Sequence, residues 1–342
     1  MDTSLTSQPA LLVTGGAGFV GSRVTRLLLE RGARVVVADD LSAGGAERLT
    51  SVAEAACLRR VDVSAPGAFA NLLEREGPFD TIIHLAARVG VRRVLSDTEG
   101  CRREHLEACT GLIEALAACD RVPRIISAST SEVYSESSRS LNEQSPLRST
   151  QGTGRWAYAA SKRAVELALD EASSRSSWPV APLHLRLFNV VGPDQDAHSG
   201  MVLPTFVRCA LMGEALPVHG SGDQVRTLGH VQDVAKDIVQ LALGREFPVG
   251  ALNLGGDLCC TVLQLATRVA QLAGRDLSCL QHVDPTLTLD SRFEEVQHRV
   301  PDLTRARALG LAGQRRNLDE MIGECMQWAE QETLRTCASP AS

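Results

Sequence analysis

Several features that mark large classes of protein are missing from this 342-residue chain. No apolar run approaches the ~18 residues that a membrane-spanning helix needs, so no membrane partner is expected. Residues 1–9 carry no basic residue before an apolar stretch, which predicts no signal peptide and a cytoplasmic location. The net charge of −6 argues against a basic face, so we expect no nucleic-acid partner.

The usual signatures of metal and disulfide chemistry are also missing. The chain has ten cysteines, but they form no C-x-x-C pair and no Cys/His cluster with zinc spacing. An H-E-x-x-H motif is absent as well. Cysteines scattered through apolar segments are typical of reduced thiols that pack as small hydrophobic residues. We therefore predict no metal site.

Lysine and tyrosine are scarce, and this makes one motif conspicuous. Only Lys162 and Lys236 are lysines among 35 basic residues, and only Tyr134 and Tyr158 are tyrosines. Tyr158 and Lys162 are four residues apart, a spacing that places both on one face of a helix. An adjacent ammonium stabilises a phenolate, so we expect it to lower the tyrosine pKa from about 10. Tyr158 would then accept a proton near neutral pH.

The pattern of the first 40 residues predicts a βαβ unit. Residues 10–14 predict a buried strand, and the apolar spacing after Gly21 predicts a helix that ends near Gly32. Residues 33–39 predict a second buried strand. A unit of this length favours a parallel sheet with right-handed crossovers.

Strands and helices continue to alternate along the chain. Further strands are predicted at 80–87, 124–129 and 182–188, and helices at 100–119 and 156–174. The predicted fold is α/β, a Rossmann-like doubly wound parallel sheet with a smaller C-terminal substrate-binding lobe. The predicted NAD-binding domain is 10–188 with a return of the chain near 226–256, the lobe is 189–225 and 257–332, and flexible tails are 1–9 and 333–342.

A glycine-rich loop joins the first strand to the first helix. Gly15, Gly18 and Gly21 follow a G-x-x-G-x-x-G spacing, which permits a tight turn, close approach to a pyrophosphate and close helix packing. Asp39 ends the second strand at the spacing of an acid that binds a ribose diol. Its charge would repel a 2′-phosphate, so NAD is favoured over NADP. The predicted cofactor-binding residues are Gly15, Gly18, Phe19, Val20, Gly21, Asp39, Asp62, Val63, Leu85, Ala86, Ala87, Tyr158 and Lys162.

Motifs in a family-specific order extend over nearly the whole chain. They are T-G-G-A-G-F-V-G-S at 14–22, H-L-A-A at 84–87, A-S-T-S-E-V-Y at 128–134, Y-A-A-S-K at 158–162, L-R-L-F-N-V-V-G-P at 185–193, G-S-G-D-Q-V-R at 220–226, H-V-Q-D-V-A at 230–235 and F-E-E-V-Q-H-R-V-P-D at 293–302. With Asp39, they make the chain resemble the extended short-chain dehydrogenase/reductase family, the NAD-dependent nucleotide-sugar epimerases and dehydratases.

The resemblance implies a role for each matching residue. Tyr158 would be the base, Lys162 its partner, and Thr130 the hydroxyl that polarises the substrate oxygen, with Glu132 as a further catalytic candidate. The substrate would be a nucleoside-diphosphate sugar. Its binding residues would be Thr130, Ser131, Asn189, Arg226 and Arg292, with Arg299 as the alternative to Arg292. A homodimer built from the helices at 100–119 and 156–174 is also implied.

The reaction is predicted by comparing the resembling subfamilies. Dehydratases usually carry Asp after the Thr130 position, where this chain has Ser131. Decarboxylases of uronic acids usually carry Arg where this chain has Asp194, whose charge would repel a uronate. Epimerisation at the sugar 4-position is therefore favoured. UDP-glucuronate-type decarboxylation and 4,6-dehydration stay open, and a non-catalytic NAD-binding regulator is a remote alternative. The chain also departs from its relatives at His105, where many have Asn.

Replacing Tyr158 with Phe removes the hydroxyl that would accept the substrate proton. We expect Tyr158→Phe to abolish turnover and to leave NAD bound. Activity and NAD content of the purified variant measure both effects, and turnover within a few-fold of wild type would contradict the assigned base.

Overall fold

A seven-stranded parallel sheet forms the centre of the computed structural model, which describes residues 8–52, 54–137, 139–176, 178–284, 296–313 and 315–338. Residues 1–7 and 339–342 of the predicted tails lie outside this set. In spatial order the strands are β10 (Gly250–Gly255), β6 (Leu183–Phe188), β5 (Arg124–Thr130), β4 (Thr81–His84), β1 (Ala10–Thr14), β2 (Arg34–Asp39) and β3 (Cys57–Arg60).

Helices cover both faces of this sheet, as the buried strand pattern requires. One face packs against α1 (Phe19–Glu30) and α7 (Val231–Leu243), around a core that includes Leu28 and Ile238. The other face packs against α2 (Ala68–Glu76), α4 (Thr98–Ala117) and α5 (Ala157–Arg175). A short helix, α3 (Val91–Ser96), precedes α4. The doubly wound sheet predicted from the sequence is confirmed.

The strand order places an opening next to β1. Strand β1 pairs with β2 on one side and with β4 on the other, so the chain winds outward in both directions from this point. In open α/β sheets, ligands bind at the carboxyl ends of the strands on either side of such a reversal. Strand β4 ends at His84, earlier than the predicted 80–87, and residues 85–87 leave the sheet at this edge.

The remaining elements form a smaller lobe with its own core. It contains β7 (Val190–Val191), α6 (Val202–Leu211), β8 (Leu216–His219), β9 (Val225–His230), β11 (Leu258–Thr261), α8 (Val262–Leu272), β12 (Leu280–Val283), β13 (His298–Arg299) and α10 (Leu318–Ala338). Its core includes Phe206, Leu265 and Met321. The short helix α9 (Thr304–Ala308) packs instead against β10, and its Ala306 belongs to the core of the large sheet. Strand β9 pairs with β7, β11 and β13, and the chain then joins the large sheet through α7 and β10, which lie within the predicted return at 226–256.

A buried ion pair fastens the second face of the sheet. Arg186 of β6 donates from Nη2 to Glu166 Oε2 of α5 at 2.8 Å, and from Nε to Oε1 at 3.0 Å. Ser129 of β5 also donates to Glu166 Oε1 at 2.6 Å. The two charged side chains are only 4% and 1% exposed. Breaking such a pair leaves an uncompensated buried charge.

We expect Arg186→Met to lower the free energy of unfolding by roughly 1–3 kcal/mol, because Glu166 would stay buried with only the partly exposed Arg163, at 2.8 Å, as its cation. Arg121→Met is the matched control, since Arg121 is 71% exposed and pairs with Asp80 at the surface. It should change stability by no more than about 0.5 kcal/mol. Urea unfolding of both variants measures the difference, and equal losses would contradict the assigned importance of the buried pair.

Candidate active site

The carboxyl ends of β1, β2, β4 and β5 open into a cleft of about 720 Å³. The size is within the range of small-molecule sites. All thirteen predicted cofactor-binding residues line it: Gly15, Gly18, Phe19, Val20, Gly21, Asp39, Asp62, Val63, Leu85, Ala86, Ala87, Tyr158 and Lys162. Residues of the smaller lobe, among them Arg299 and Met201, line the opposite side. The sheet edge and the lobe therefore share one site.

The glycine loop packs too closely for side chains. Gly15 has a φ of +69°, and a Cβ placed there would lie 2.7 Å from the Ala86 nitrogen. A Cβ on Gly21 would lie 2.0 Å from the Gly15 carbonyl oxygen. Gly18 caps α1 with no side-chain hydrogen bond, which leaves the helix N-terminus open to an anion. These contacts fit a dinucleotide pyrophosphate.

Two carboxylates lie at the ends of β2 and β3. Asp39 is buried, and its oxygens accept from the Ala17 and Leu41 nitrogens at 2.9 and 2.8 Å. These bonds fix its position in the wall of the cleft, where a carboxylate suits a ribose diol and disfavours a 2′-phosphate. Asp62 accepts from Ser64 at 2.6 Å and also lines the cleft. The residues present therefore fit NAD.

Tyr158 and Lys162 lie on the face of α5 that lines the cleft, as the spacing predicts. Lys162 Nζ donates to the Ala128 carbonyl oxygen of β5 at 2.9 Å. Burial lowers the pKa of Lys162 to about 8, with Cys101, Cys109 and Glu166 acting in the opposite direction. The two catalytic candidates are therefore present in one wall of the site.

The pKa of Tyr158 differs from the sequence-based expectation. Burial raises it above its usual value, and the Glu132 carboxylate and Cys101 raise it further. The Lys162 ammonium is directed to the Ala128 carbonyl oxygen of β5. A phenolate is thus disfavoured beside Glu132, and a positive charge in the cleft would be needed to favour it.

Glu132 lies between two arginines that the cleft also exposes. Arg299 Nη1 donates to Glu132 Oε1 at 3.0 Å, and Arg155 Nη2 lies 3.5 Å from the same oxygen. Burial alone would raise the pKa of Glu132, but Arg299 and Arg155 hold it below its usual value. Thr130, in the same turn, accepts from the Glu132 nitrogen. Glu132 is therefore ionised at neutral pH.

The predicted substrate-binding residues divide into three groups. Thr130, Ser131 and Asn189 line the cleft, and Asn189 Nδ2 is buried with no hydrogen-bond partner among the residues that the structure describes. Arg226 is not among the lining residues. It lies on β9 directly beside Arg299, which does line the cleft. Arg292 lies outside the described residues.

Sequence reasoning gave Arg155 no role. It lies in the cleft beside Glu132 because a short helical turn at Gly154–Trp156 precedes α5. Its position three residues before Tyr158 was the sequence signal that could have placed it near the site. Sequence reasoning singled out Asp194 as a charge that would repel a uronate. The structure contradicts this, because Arg23 and Arg48 pair with Asp194 at 2.8 and 2.9 Å and Asp194 does not line the cleft.

Removing the charge of Glu132 tests its influence on Tyr158. We expect Glu132→Gln to lower the pKa of Tyr158, because a negative charge that disfavours the phenolate is lost while both arginines stay. The acidic limb of the kcat/KM profile, which reports the free enzyme, should then move to lower pH. A shift to higher pH would contradict this electrostatic account.

Known proteins resemble the chain over nearly its full length. A UDP-N-acetyl-alpha-D-glucosaminuronate decarboxylase of Bacillus cytotoxicus is 27% identical, covering 93% of this chain and 96% of its own. A dTDP-L-rhamnose 4-epimerase of Burkholderia thailandensis is also 27% identical, covering 98% and 99%. Relatives with different reactions are thus equally similar.

A solved structure and a family model also match most of the chain. The Thermus thermophilus UDP-glucose 4-epimerase, solved in complex with NAD, superposes with a TM-score of 0.80 and 26% identity, covering 94% of this chain and 99% of that one. The model of the NAD dependent epimerase/dehydratase family matches residues 11–255, which include the glycine loop, Asp39, Tyr158 and Lys162. NAD is therefore the cofactor, and the chain belongs to the NAD-dependent epimerase/dehydratase family.

Proposed function

We propose that the protein is a nucleotide-sugar 4-epimerase that works through a transient 4-keto intermediate. The carrying observation is that Tyr158, Lys162 and Thr130 share one cleft with the NAD-binding residues, while the part of the chain that the structure describes places no protonated carboxylic acid beside them. The substrate is a nucleoside-diphosphate sugar, in keeping with the relatives described above. Its diphosphate would contact Arg299 and Asn189, whose amide nitrogen has no hydrogen-bond partner among the described residues.

The residues of this chain would act on the sugar 4-hydroxyl. Tyr158 accepts the hydroxyl proton, Thr130 holds the same oxygen, and Lys162 binds near the nicotinamide ribose. NAD, when bound, would supply a reversible hydride acceptor for the 4-carbon. Its positive ring would also favour the Tyr158 phenolate, which the protein's own charges disfavour. Rotation of the keto-sugar in the cleft would present its opposite face for reduction, which gives the epimer, and Tyr158 would return the proton.

Dehydration is less well supported because it needs an acid to protonate the departing hydroxyl. Ser131 has no carboxyl group to act as a proton donor, and it is 3% exposed. Glu132 is held ionised by Arg299 and Arg155, so it has no proton to donate at neutral pH. The turn after β5 therefore lacks the donor that water elimination requires.

Decarboxylation of a nucleotide-linked uronic acid is the second candidate, and Arg155 and Arg299 favour it. Both guanidinium groups line the cleft on one carboxylate oxygen of Glu132, which leaves a net positive charge at this end. A sugar carboxylate would neutralise it. The neutralisation of Asp194 by Arg23 and Arg48 removes the repulsion that the sequence suggested. The decarboxylase from Bacillus cytotoxicus supports this alternative.

The oligomeric state and the cellular location of the protein stay predictions. We propose a homodimer through α4 and α5, where Leu167 is an apolar side chain that is 44% exposed. Among the described residues, no helix is long and apolar enough to cross a membrane.

Incubation with a panel of nucleotide sugars, neutral hexoses and uronic acids alike, separates these reactions. We expect mass-resolved chromatography to show a new peak of unchanged mass, formed by wild type and not by Tyr158→Phe. A product lighter by carbon dioxide would transfer the assignment to decarboxylation, and one lighter by water to dehydration. Bound NAD without turnover of any panel member would contradict an enzymatic role.

A further inference from the structure

His105 is a histidine buried in the wall of the cleft. It lies in the second turn of α4, is 4% exposed and faces the Tyr158 ring edge-on, with ring centroids 5.7 Å apart. Both ring nitrogens are within hydrogen-bond distance of groups on other elements. Such a side chain links parts of the site that the backbone alone does not connect.

One nitrogen of His105 holds the segment that leaves β4. The Arg88 backbone N–H donates to His105 Nε2 at 3.2 Å. One turn earlier on α4, the Cys101 Sγ lies 3.8 Å from the Arg88 carbonyl oxygen. Two side chains of α4, spaced by four residues, therefore satisfy both polar groups of one peptide residue. That residue directly follows the cofactor-lining Ala86 and Ala87.

The other nitrogen holds the start of the catalytic helix. His105 Nδ1 lies 2.8 Å from Ser161 Oγ, and Ser161 Oγ donates to the Tyr158 carbonyl oxygen at 2.8 Å. Because Nε2 accepts from Arg88, the ring proton of the neutral imidazole is on Nδ1 and is donated to Ser161. Burial first, and then Lys162, lowers the pKa of His105 to about 2, which keeps this tautomer neutral.

We propose that His105 is a positioning residue for hydride transfer, because it ties the cofactor-side segment at Arg88 to the backbone of Tyr158. The inference rests on the proposed role of Tyr158 as base. A shift of about 1 Å between reacting groups costs on the order of 100-fold in rate. His105 therefore acts on the rate after binding, through the relative placement of two walls of one site.

Substitutions separate the two links. Asn places an amide nitrogen near the Nδ1 position and retains the bond to Ser161, Gln reaches the Nε2 position and retains the bond to Arg88, and Ala loses both. We expect His105→Ala to lower kcat roughly 100-fold with KM and NAD content close to wild type. His105→Asn and His105→Gln should each lose less. His198→Ala, at an exposed histidine, is the matched control and should behave as wild type.

A double-mutant cycle with Ser161→Ala tests the path through Ser161. If His105 acts through this hydroxyl, then His105→Asn, which retains only that link, should gain nothing over His105→Ala in the Ser161→Ala background. If the fall in kcat of the His105 variants is fully accounted for by a smaller fraction of folded, NAD-loaded protein, the inference is overturned. It is also overturned if the variants are as active as wild type. Wild type that turns over no nucleotide sugar would overturn the proposed function as well.

Discussion

Close contact between the Gly15 turn and the segment after β4 determines the position of the ligand-binding cleft. The Gly15 backbone lies so close to Ala86 that a methyl group would be 2.7 Å from a backbone nitrogen. This contact joins the carboxyl ends of β1 and β4 while the helices that follow them diverge to opposite faces of the sheet. The cleft therefore opens at this point, with a helix N-terminus at one end and Tyr158 at the other.

The charges in the cleft are arranged in pairs, and this limits what each can do. One oxygen of Glu132 contacts both Arg299 and Arg155, so Glu132 stays ionised and has no proton to donate. Its negative charge raises the pKa of Tyr158. The buried Lys162 ammonium is bound to a carbonyl rather than to the phenol. In the proposed mechanism, activation of Tyr158 would therefore depend on positive charge that the bound cofactor brings to the cleft.

Two buried networks hold α5 in place, and they involve different chemistry. Glu166 fastens the helix to β5 and β6 through charged hydrogen bonds, and the loss of one partner would leave buried charge poorly compensated. His105 and Ser161 hold its first turn through neutral hydrogen bonds next to Tyr158. The first network fixes the helix on the sheet, and the second adjusts its catalytic end relative to the cofactor segment.

The sequence alone determined the doubly wound fold, the glycine loop, Asp39 and the Tyr158–Lys162 pair. Each depends on local spacing, since helix periodicity and turn geometry act over a few residues. Tertiary structure decided the partners of Glu132, the pairing of Asp194 and the links of His105. Those contacts join residues 17 to 171 positions apart, so they arise only when the fold brings distant segments together. Spacing therefore predicts which residues face the cleft, and only packing decides which charges cancel there.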